Sequence, residues 1–398
     1  MKMPEYVKNC IELLEQSGFS GYAVGGAVRD SMLGIVPSDW DVTTSATPNQ
    51  TLEVFANFRT IPTGIKHGTV TVMFNHEGDL APIEITTYRI DGEYHDSRHP
   101  ESVSFSNDVR DDLLRRDFTV NAMAYNEKNG LVDVFGGKKD LENCIIRAVG
   151  NPEKRFTEDA LRILRAFRFS AQLGFEIEEN TLLGATKCAH LLKNIARERV
   201  GTEFKKLISS KYCSKSLAKM VDLGVCYELF DAKMPERETI DGLSNVDGFE
   251  ARMGILTSTF SEDEKLDFLS SLRLSNAEKK RILKLSSVRE YVLSNNFCVN
   301  EICARKFLHT YNHVSSDAIV LLRFYGELEF AQLVTVQAKK EPPLSISSLD
   351  IRGDDLLPLC SDYSKIGKML NYLLERVIEC PELNKKEKLI EIAKQELK

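Results

Sequence analysis

The sequence predicts an α+β fold, with strands confined to roughly the first 150 of its 398 residues and helices thereafter. Three observations carry that expectation. Alternating or β-branched stretches occur at Thr69–Phe74 and Pro82–Ile90, with shorter ones ahead of Gly25 and at Leu131–Val134. From Asn151 onward such signals nearly vanish, and helical periods follow one another between short breakers at Gly224, Pro235, 241–248 and Pro342–Pro343. No regular alternation of strand and helix accompanies the early strands, which speaks against a doubly wound sheet.

The chain opens on MKMPEYVKNCIELLEQSGF, an amphipathic helix carrying Lys8, Glu12 and Glu15, without the apolar stretch and cleavage site of a secretory leader. The apolar run Tyr22–Val24 then leads into Gly25 and Gly26. Two glycines there let backbone N–H groups come close enough to donate to phosphate oxygens. Arg29 offers a planar fork to the same oxygens, with Asp30 beside it to hold the fork. Asp39 and Asp41 alternate with Trp40 and Val42, so on a strand both carboxylates face one way and can hold Mg²⁺. Glu84 alternates with Ile83 and Ile85 on a second strand and is a candidate third carboxylate. Ions at such a site lower the pKa of an attacking hydroxyl and neutralise charge on a leaving pyrophosphate. Taken singly, a Gly-Gly is a turn and an Asp-x-Asp a solvated pair. Their order and spacing between Gly21 and Pro48 point instead to nucleotidyl transfer.

Further along, the polar stretch 91–107, DGEYHDSRHPESVSFSN, reads as an exposed loop. Arg115, Arg116 and Asp117 are surface charge or part of a site, and DVFGG (Asp133–Gly137) is a glycine turn or a hinge. A helix is expected from about Thr157. At 100° per residue it gathers Ala160, Ile163, Leu164, Phe167 and Ala171 on one arc, with Glu158, Arg162 and Arg165 opposite and Asp159 and Arg168 flanking. The polar arc has two readings. One is a solvated face with a Glu158–Arg162 pair. The other is a protein template, in which Asp159 accepts from the exocyclic amine shared by cytosine and adenine while Arg162 donates to the ring acceptors. Guanine and uracil carry carbonyls at that place and would leave a buried acceptor without its donor.

Composition bounds these readings. A 42% hydrophobic chain of this length supports two to four domains. No apolar run approaches a bilayer span, so the sequence reads as cytosolic with no membrane partner. The net charge of −7 argues against nonspecific nucleic-acid binding, and RNA would have to be met by local basic patches. Nine scattered cysteines with no Cys-x-x-Cys read as reduced core residues, and none of the seven histidines stands in a metal-ligand spacing.

GGAVRD, then DWD, then a strand bearing Glu84 resembles the DNA polymerase β-type nucleotidyltransferase superfamily. More narrowly, it resembles the class II tRNA CCA-adding enzymes and their relatives, the bacterial poly(A) polymerases. RRDFTVNAMAYN (Arg115–Asn126), DVFGGKKDL (Asp133–Leu141), RFTEDALRILRAFRFSAQLGF (Arg155–Phe175) and RERVGTEF (Arg197–Phe204) follow in the family's order. The resemblance implies a catalytic head over 1–145 with a small mixed or antiparallel sheet. An all-helical neck (146–212), body (213–335) and tRNA-binding tail (336–398) would follow. It implies Asp39 and Asp41 as catalytic Mg²⁺ ligands, with Glu84 as a further catalytic carboxylate. Nucleotide binding would fall to Gly25, Gly26, Arg29, Arg116 and Asp117, the last on the ribose 2′-hydroxyl, and to Asp159, Arg162, Arg165 and Arg168. Arg197, Glu198 and Glu203 fit the neck motif that supports the template helix.

The implied reaction is attack of a tRNA 3′-hydroxyl on the α-phosphate of CTP or ATP. In the family the loop matching 91–107 is needed for the final adenosine, so its presence favours full CCA addition or adenosine addition alone over a CC-only enzyme. Those two subtypes stay open, as do a poly(A) polymerase and a non-catalytic RNA-binding protein.

Overall fold

A computed structural model describes residues 1–92, 103–230, 234–294, 297–359 and 363–396. The chain divides into two units, 1–232 and 233–398.

The first unit begins with helix α1 (Glu5–Gln16), which buries Val7, Cys10, Ile11 and Leu14 at helical spacing. The strands that follow are β1 (Gly21–Val24), β2 (Trp40–Thr44), β3 (Arg59–Gly64), β4 (Thr69–His76), β5 (Asp79–Thr87), β6 (Arg89–Asp91), β7 (Val103–Phe105), β8 (Ala124–Asn126) and β9 (Gly130–Val132). Among the described residues, seven of them form one sheet in the order β3-β4-β5-β2-β1-β8-β9. β2 and β5 run parallel, and every other neighbouring pair is antiparallel. The sheet is therefore mixed, as expected. The stretch read as one strand over Pro82–Ile90 is divided, because β5 ends at Thr87 and β6 leaves to pair with β7.

The helices of this unit are α2 (Gly26–Met32), α3 (Pro48–Val54), α4 (Val109–Leu114), α5 (Gly137–Glu142), α6 (Pro152–Glu158), α7 (Leu161–Leu173), α8 (Glu179–Cys188) and α9 (Arg197–Ser209), with Cys213–Asp222 and Val225–Phe230 completing it. A core of Val24, Tyr88, Val109, Leu113, Ala122, Ala124 and Val149 joins the sheet to α4 and the segment after α5. The Tyr88 hydroxyl, buried there, meets Ser20 Oγ at 2.9 Å, which satisfies the one polar atom of that ring. Strand signals do end near residue 150, apart from Glu176–Ile177, which pairs in parallel with Ile145–Ile146.

Two expectations are corrected. The helix read as continuous from Thr157 is two helices, broken at Asp159, whose backbone is extended (φ −147°, ψ 101°). Periodicity treats an acid on a helical wheel as one more surface residue, whereas Asp159 acts as a cap, its Oδ1 accepting from Leu161 N at 3.1 Å. The cysteines are not all reduced core residues. Cys298 and Cys303 are joined in a disulfide with Cα atoms 6.3 Å apart, and Cys144 is exposed.

The second unit is helical throughout its described residues. Phe307 packs edge-to-face on both Tyr291 and Phe330, which lie nearly parallel to each other. Buried Arg305 donates through Nε to Ile378 O (2.6 Å) and through Nη2 to Glu379 O (2.7 Å), closing the last turn of the helix Tyr363–Glu379. Leu356, Leu373, Val377 and Leu389 fill a second cluster.

The turn DVFGG shows how tightly the first unit is packed. Asp133 caps α5, its Oδ1 accepting from Gly137 N (2.7 Å) and its Oδ2 from Lys138 N (2.9 Å). A Cβ on Gly137 would lie 2.3 Å from Thr119 O and 2.8 Å from Met123 Cγ, so backbone would have to move to admit it. Gly137→Ala is expected to destabilise the first unit by about 1–3 kcal/mol, measured as a lowered urea midpoint, whereas Gly136→Ala meets no neighbour and strains only its positive φ.

Candidate active site

The site is built on the middle of the sheet. In β2 the burial alternates so that Trp40 and Val42 face the core and Asp41 faces out. The register sets Asp41 opposite Val24 of β1 on one side and Glu84 of β5 on the other. Asp39 stands at the entry to β2, two residues from Asp41, with Ser38 Oγ donating to its Oδ1 at 2.8 Å. The Asp41 carboxyl, although it faces out, is pushed up to about 6, first by desolvation from the protein packed around it and then by the charges of Glu84 and Asp39, against the pull of Arg116. A concentration of negative charge with hard oxygen donors fits a divalent cation. Among the described residues no three His, Cys, Asp or Glu side chains converge to hold an ion unaided. Asp39 and Asp41 are the candidate donors, with Glu84 alongside.

The glycine turn follows directly from β1. Gly25 has φ +75° and precedes α2. Arg116 Nη1 lies 2.8 Å from the point where a Gly25 Cβ would stand, so a side chain there would collide with the guanidinium. Gly26 opens α2, and Arg29 one turn along is buried. Its Nε and Nη2 both meet Asp30 Oδ1 (2.8 and 2.7 Å), and its Nη1 donates to Asn121 Oδ1 at 2.7 Å. The hold that Asp30 was expected to have on Arg29 is present.

Arg115 and Arg116 share one fully buried acid. Arg115 reaches Asp112 Oδ1 through Nη2 (2.6 Å), and Arg116 reaches Oδ2 through Nη2 (3.2 Å). Burial alone would raise the Asp112 carboxyl, but the two guanidinium groups hold it below the usual range. Asp117 is more fully engaged still. Its Oδ1 accepts from Phe118 N (2.9 Å) and Asn121 Nδ2 (3.2 Å), and its Oδ2 from Arg165 Nε (2.8 Å) and Nη2 (2.7 Å). Desolvation works against its charge, yet Arg165 and Asn121 hold the carboxyl down to about 2. With all four lone-pair positions taken, Asp117 as placed here anchors Arg165, and a ribose hydroxyl would have to displace one of these donors.

On α7, Arg162 donates through Nη1 to Glu158 Oε2 (2.8 Å) and Arg155 O (3.2 Å), and through Nη2 to Arg115 O (2.9 Å). The pair four apart forms, but it is partly buried and tied to the Arg115 backbone instead of lying on an open face. Arg165 and Arg168 both pair with Glu203 of α9, at 3.6 and 2.6 Å. Arg29, Arg165 and Arg168 lie 5.1, 5.2 and 3.9 Å from the centroid of the Phe169 ring. Burial lowers Arg168 to about 10 despite Glu203, which leaves it charged near neutrality.

Asp159 is gripped by a residue that sequence reasoning passed over. Arg199 of α9 donates through Nη2 to its Oδ2 at 2.8 Å and through Nη1 to its Oδ1 at 3.4 Å. The signal was its spacing four residues before Glu203, which puts both on one face of α9. Arg197, by contrast, donates to Leu229 O at 2.6 Å. The loop read as an adenosine determinant falls largely on 93–102, outside the described residues.

Comparisons with known proteins agree with the fold. A family model described as the Poly A polymerase head domain matches 21–147, and one described as a probable RNA and SrmB-binding site of polymerase A matches 174–238. The CCA-adding enzyme of Ligilactobacillus salivarius is 36% identical, with 98% of this chain and 97% of that one aligned. That of Limosilactobacillus fermentum is 34% identical over 99% and 97%. The crystal structure of the Bacillus stearothermophilus CCA-adding enzyme in complex with CTP superposes with a TM-score of 0.82 at 28% identity, covering 100% and 99% of the two chains.

Asp117 gives the site a test by pH. Its carboxyl is held below its ordinary 3.8, so it contributes stability above that value and loses it as pH falls toward about 2. Asp117→Asn is expected to cost ~2 kcal/mol at pH 7, with the gap in urea midpoint from the wild type closing between pH 4 and pH 2.

Proposed function

The chain belongs to the family of CCA-adding enzymes and is a nucleotidyltransferase, and from that premise we propose that it adds CCA to the 3′ end of tRNA from CTP and ATP. The observation that carries the reading is the carboxylate pair of Asp39, at the entry to β2, and Asp41 on it, beside Glu84 and next to a glycine turn walled by Arg29 and Arg116. Support for the substrates comes from the relatives' name and from the CTP bound by the Bacillus stearothermophilus enzyme.

In this reading Asp39 and Asp41 hold Mg²⁺. When bound, the ions favour the alkoxide of the attacking 3′-hydroxyl and neutralise charge on the leaving group. The bond that forms joins the tRNA 3′ oxygen to the α-phosphorus, the bond that breaks joins the α-phosphorus to the bridging oxygen, and pyrophosphate leaves. Gly25 lets the Arg116 guanidinium lie against the turn, and Gly26 presents backbone N–H to the triphosphate. Arg29 and Arg116, each already pinned by an acid, supply charge without having to reorganise. Asp159 and Arg162 read the base by the template logic, with Arg165 and Arg168 closing the nucleotide site. Asp117 orders this wall, and any contact with a ribose hydroxyl would be made by exchange with one of its present donors. The reaction would proceed in the cytoplasm. Among the described residues no helix is long and apolar enough to cross a membrane.

The reading is tested by extending two tRNAs at single-nucleotide resolution, one lacking all three terminal nucleotides and one lacking only the adenosine. Addition of three residues and then a stop is expected. Activity on the second substrate alone would make this an adenosine-adding enzyme, and a long adenosine ladder would make it a poly(A) polymerase. Asp41→Asn is expected to lower incorporation by about a thousandfold or more while tRNA binding persists. Chelation of divalent ions should abolish activity and Mg²⁺ should restore it, while loss of tRNA binding with Asp41→Asn would count against a catalytic role.

A further inference from the structure

The second unit holds a groove of about 1130 Å³, none of whose lining residues belongs to the nucleotide site. One wall is the helix Asn276–Ser286, where Ala277, Lys280, Arg281 and Lys284 stand at i, i+3, i+4 and i+7 and so share one face. The floor is the turn that ends the helix Glu301–Thr310 and runs on through Asn312–Val314, with Tyr311 and Val314 buried in it. A second wall is apolar, with Leu344 and Ile346 from one segment and Leu374 from the helix Tyr363–Glu379. Lys284 Nζ lies 5.0 Å from the Tyr311 ring centroid, and Arg281 donates through Nη1 to His313 O at 3.2 Å. His309 Nδ1 donates to Leu344 O at 2.8 Å, since a carbonyl can only accept. The cations thus border the floor along one helix, and the apolar wall joins it through His309. Polar groups of that wall are engaged locally: the Ser345 and Ser347 hydroxyls meet at 2.9 Å, and Asn371 Nδ2 donates to Gly367 O at 2.9 Å.

The charge is one-sided. No Asp or Glu is among the described residues that line the groove. Arg281 has Asp317 Oδ2 at 2.9 Å, but Lys280 and Lys284 are exposed and have no acidic partner among the described residues. In a chain of net charge −7, whose cleft arginines are each backed by an acid, two adjacent unpaired lysines over an apolar floor stand apart.

We propose that this groove docks an acidic amphipathic helix of a partner protein, with its apolar stripe on Leu283, Leu344 and Ile346 and its carboxylates against Lys280 and Lys284. Size favours a helix. A helix about 10 Å across fills roughly 420 Å³ per turn, so the groove has room for about two to three turns, whereas pockets for small ligands run to about 300–1,000 Å³. Pattern favours it too. Apolar anchors at i, i+3, i+4 and i+7 with charge beside them match an apolar floor bordered by cations. Lys280 and Lys284 are one turn apart, the interval at which carboxylates four apart on a facing helix recur. RNA fits the groove less well. Phosphates need the cations but gain nothing from the leucine and isoleucine side chains, and Tyr311, 2% exposed, is not open to base stacking.

The test is fluorescence anisotropy of the full chain with a fluorescein-labelled helical peptide that carries leucines at i, i+3, i+4 and i+7 and glutamates beside them. One control peptide keeps the leucines and has lysines for the glutamates, and another keeps the glutamates and has serines for the leucines. Saturable binding of the acidic amphipathic peptide is expected, with each control at least about tenfold weaker and with affinity falling as salt rises. Lys280→Glu together with Lys284→Glu should weaken the acidic peptide by about tenfold or more and tighten the lysine-bearing one. Damage to the fold could not produce that exchange of preference. Equal binding of the acidic peptide by the wild type and the double variant would place it elsewhere on the surface, and equal binding of the leucine-free peptide would reduce the groove to a charged patch; either result overturns the proposal. Absence of saturable binding by the acidic peptide also overturns it, and a loss of tRNA affinity in the double variant beside that absence would assign the two lysines to RNA. Should the double variant fail to fold, Lys280→Ser with Lys284→Ser carries the comparison with the acidic peptide.

Discussion

The cleft depends on the carboxylate of Asp117. One of its oxygens holds Arg165 of α7, and the other holds Asn121, whose own carbonyl oxygen takes Arg29 of α2. Three segments far apart in sequence are thus joined through one buried anion. A buried charge of this kind costs several kcal/mol in desolvation and persists only when every lone pair is met. Here every one is, and the carboxyl stays far below its usual range. Neutralising one partner leaves the other buried and unpaired, so the network tolerates little local variation.

The same principle repeats around the cleft. Arg29 has Asp30, Arg115 and Arg116 share Asp112, Arg162 has Glu158, Arg165 and Arg168 share Glu203, and Arg199 has Asp159. The pairing reconciles a net charge of −7 with a site suited to a polyanion. Each arginine is fixed by an acid set behind it, so the positive groups are oriented before the ligand arrives. The carboxylates of Asp39, Asp41 and Glu84 are arranged in the opposite sense. The raised Asp41 carboxyl comes first from desolvation, with the charges of Glu84 and Asp39 adding to it, and a cation would offset both. One wall of the site is satisfied in advance, and the other gathers hard acceptors of a kind that fits a cation.

What the sequence made legible follows from which interactions are local. The alternation Asp39-Trp40-Asp41-Val42 announced the strand and the outward face of Asp41, because strand period is a property of neighbours, although the strand begins at Trp40 and leaves Asp39 at its entry. Gly25 was readable as a close approach, since few other reasons put two glycines after an apolar run. The identity of the approaching group, Arg116, was not, because it comes from ninety residues away in the chain. Glu84 could be placed on a strand, but its position beside Asp41 depends on the parallel register of β2 and β5. The Cys298–Cys303 bridge escaped because its spacing matches no familiar motif.

The break at Asp159 is where sequence pattern and structure diverge most usefully. On a continuous helix, Glu158 and Asp159 would both belong to the polar arc, and a salt-bridged solvent face would explain them. In the folded chain they part company. Glu158 ends α6 and turns to Arg155 and Arg162, while Asp159 leaves helical geometry, caps α7 and is taken by Arg199. Extended backbone at an acid between two helices is not required to continue either one, and its alignment comes from α9, some forty residues on. A helical surface charge needs no such support, since its direction is set by its own turn. The presence of the support is therefore the physical argument that the orientation of this carboxylate, and not merely its charge, is what the fold maintains.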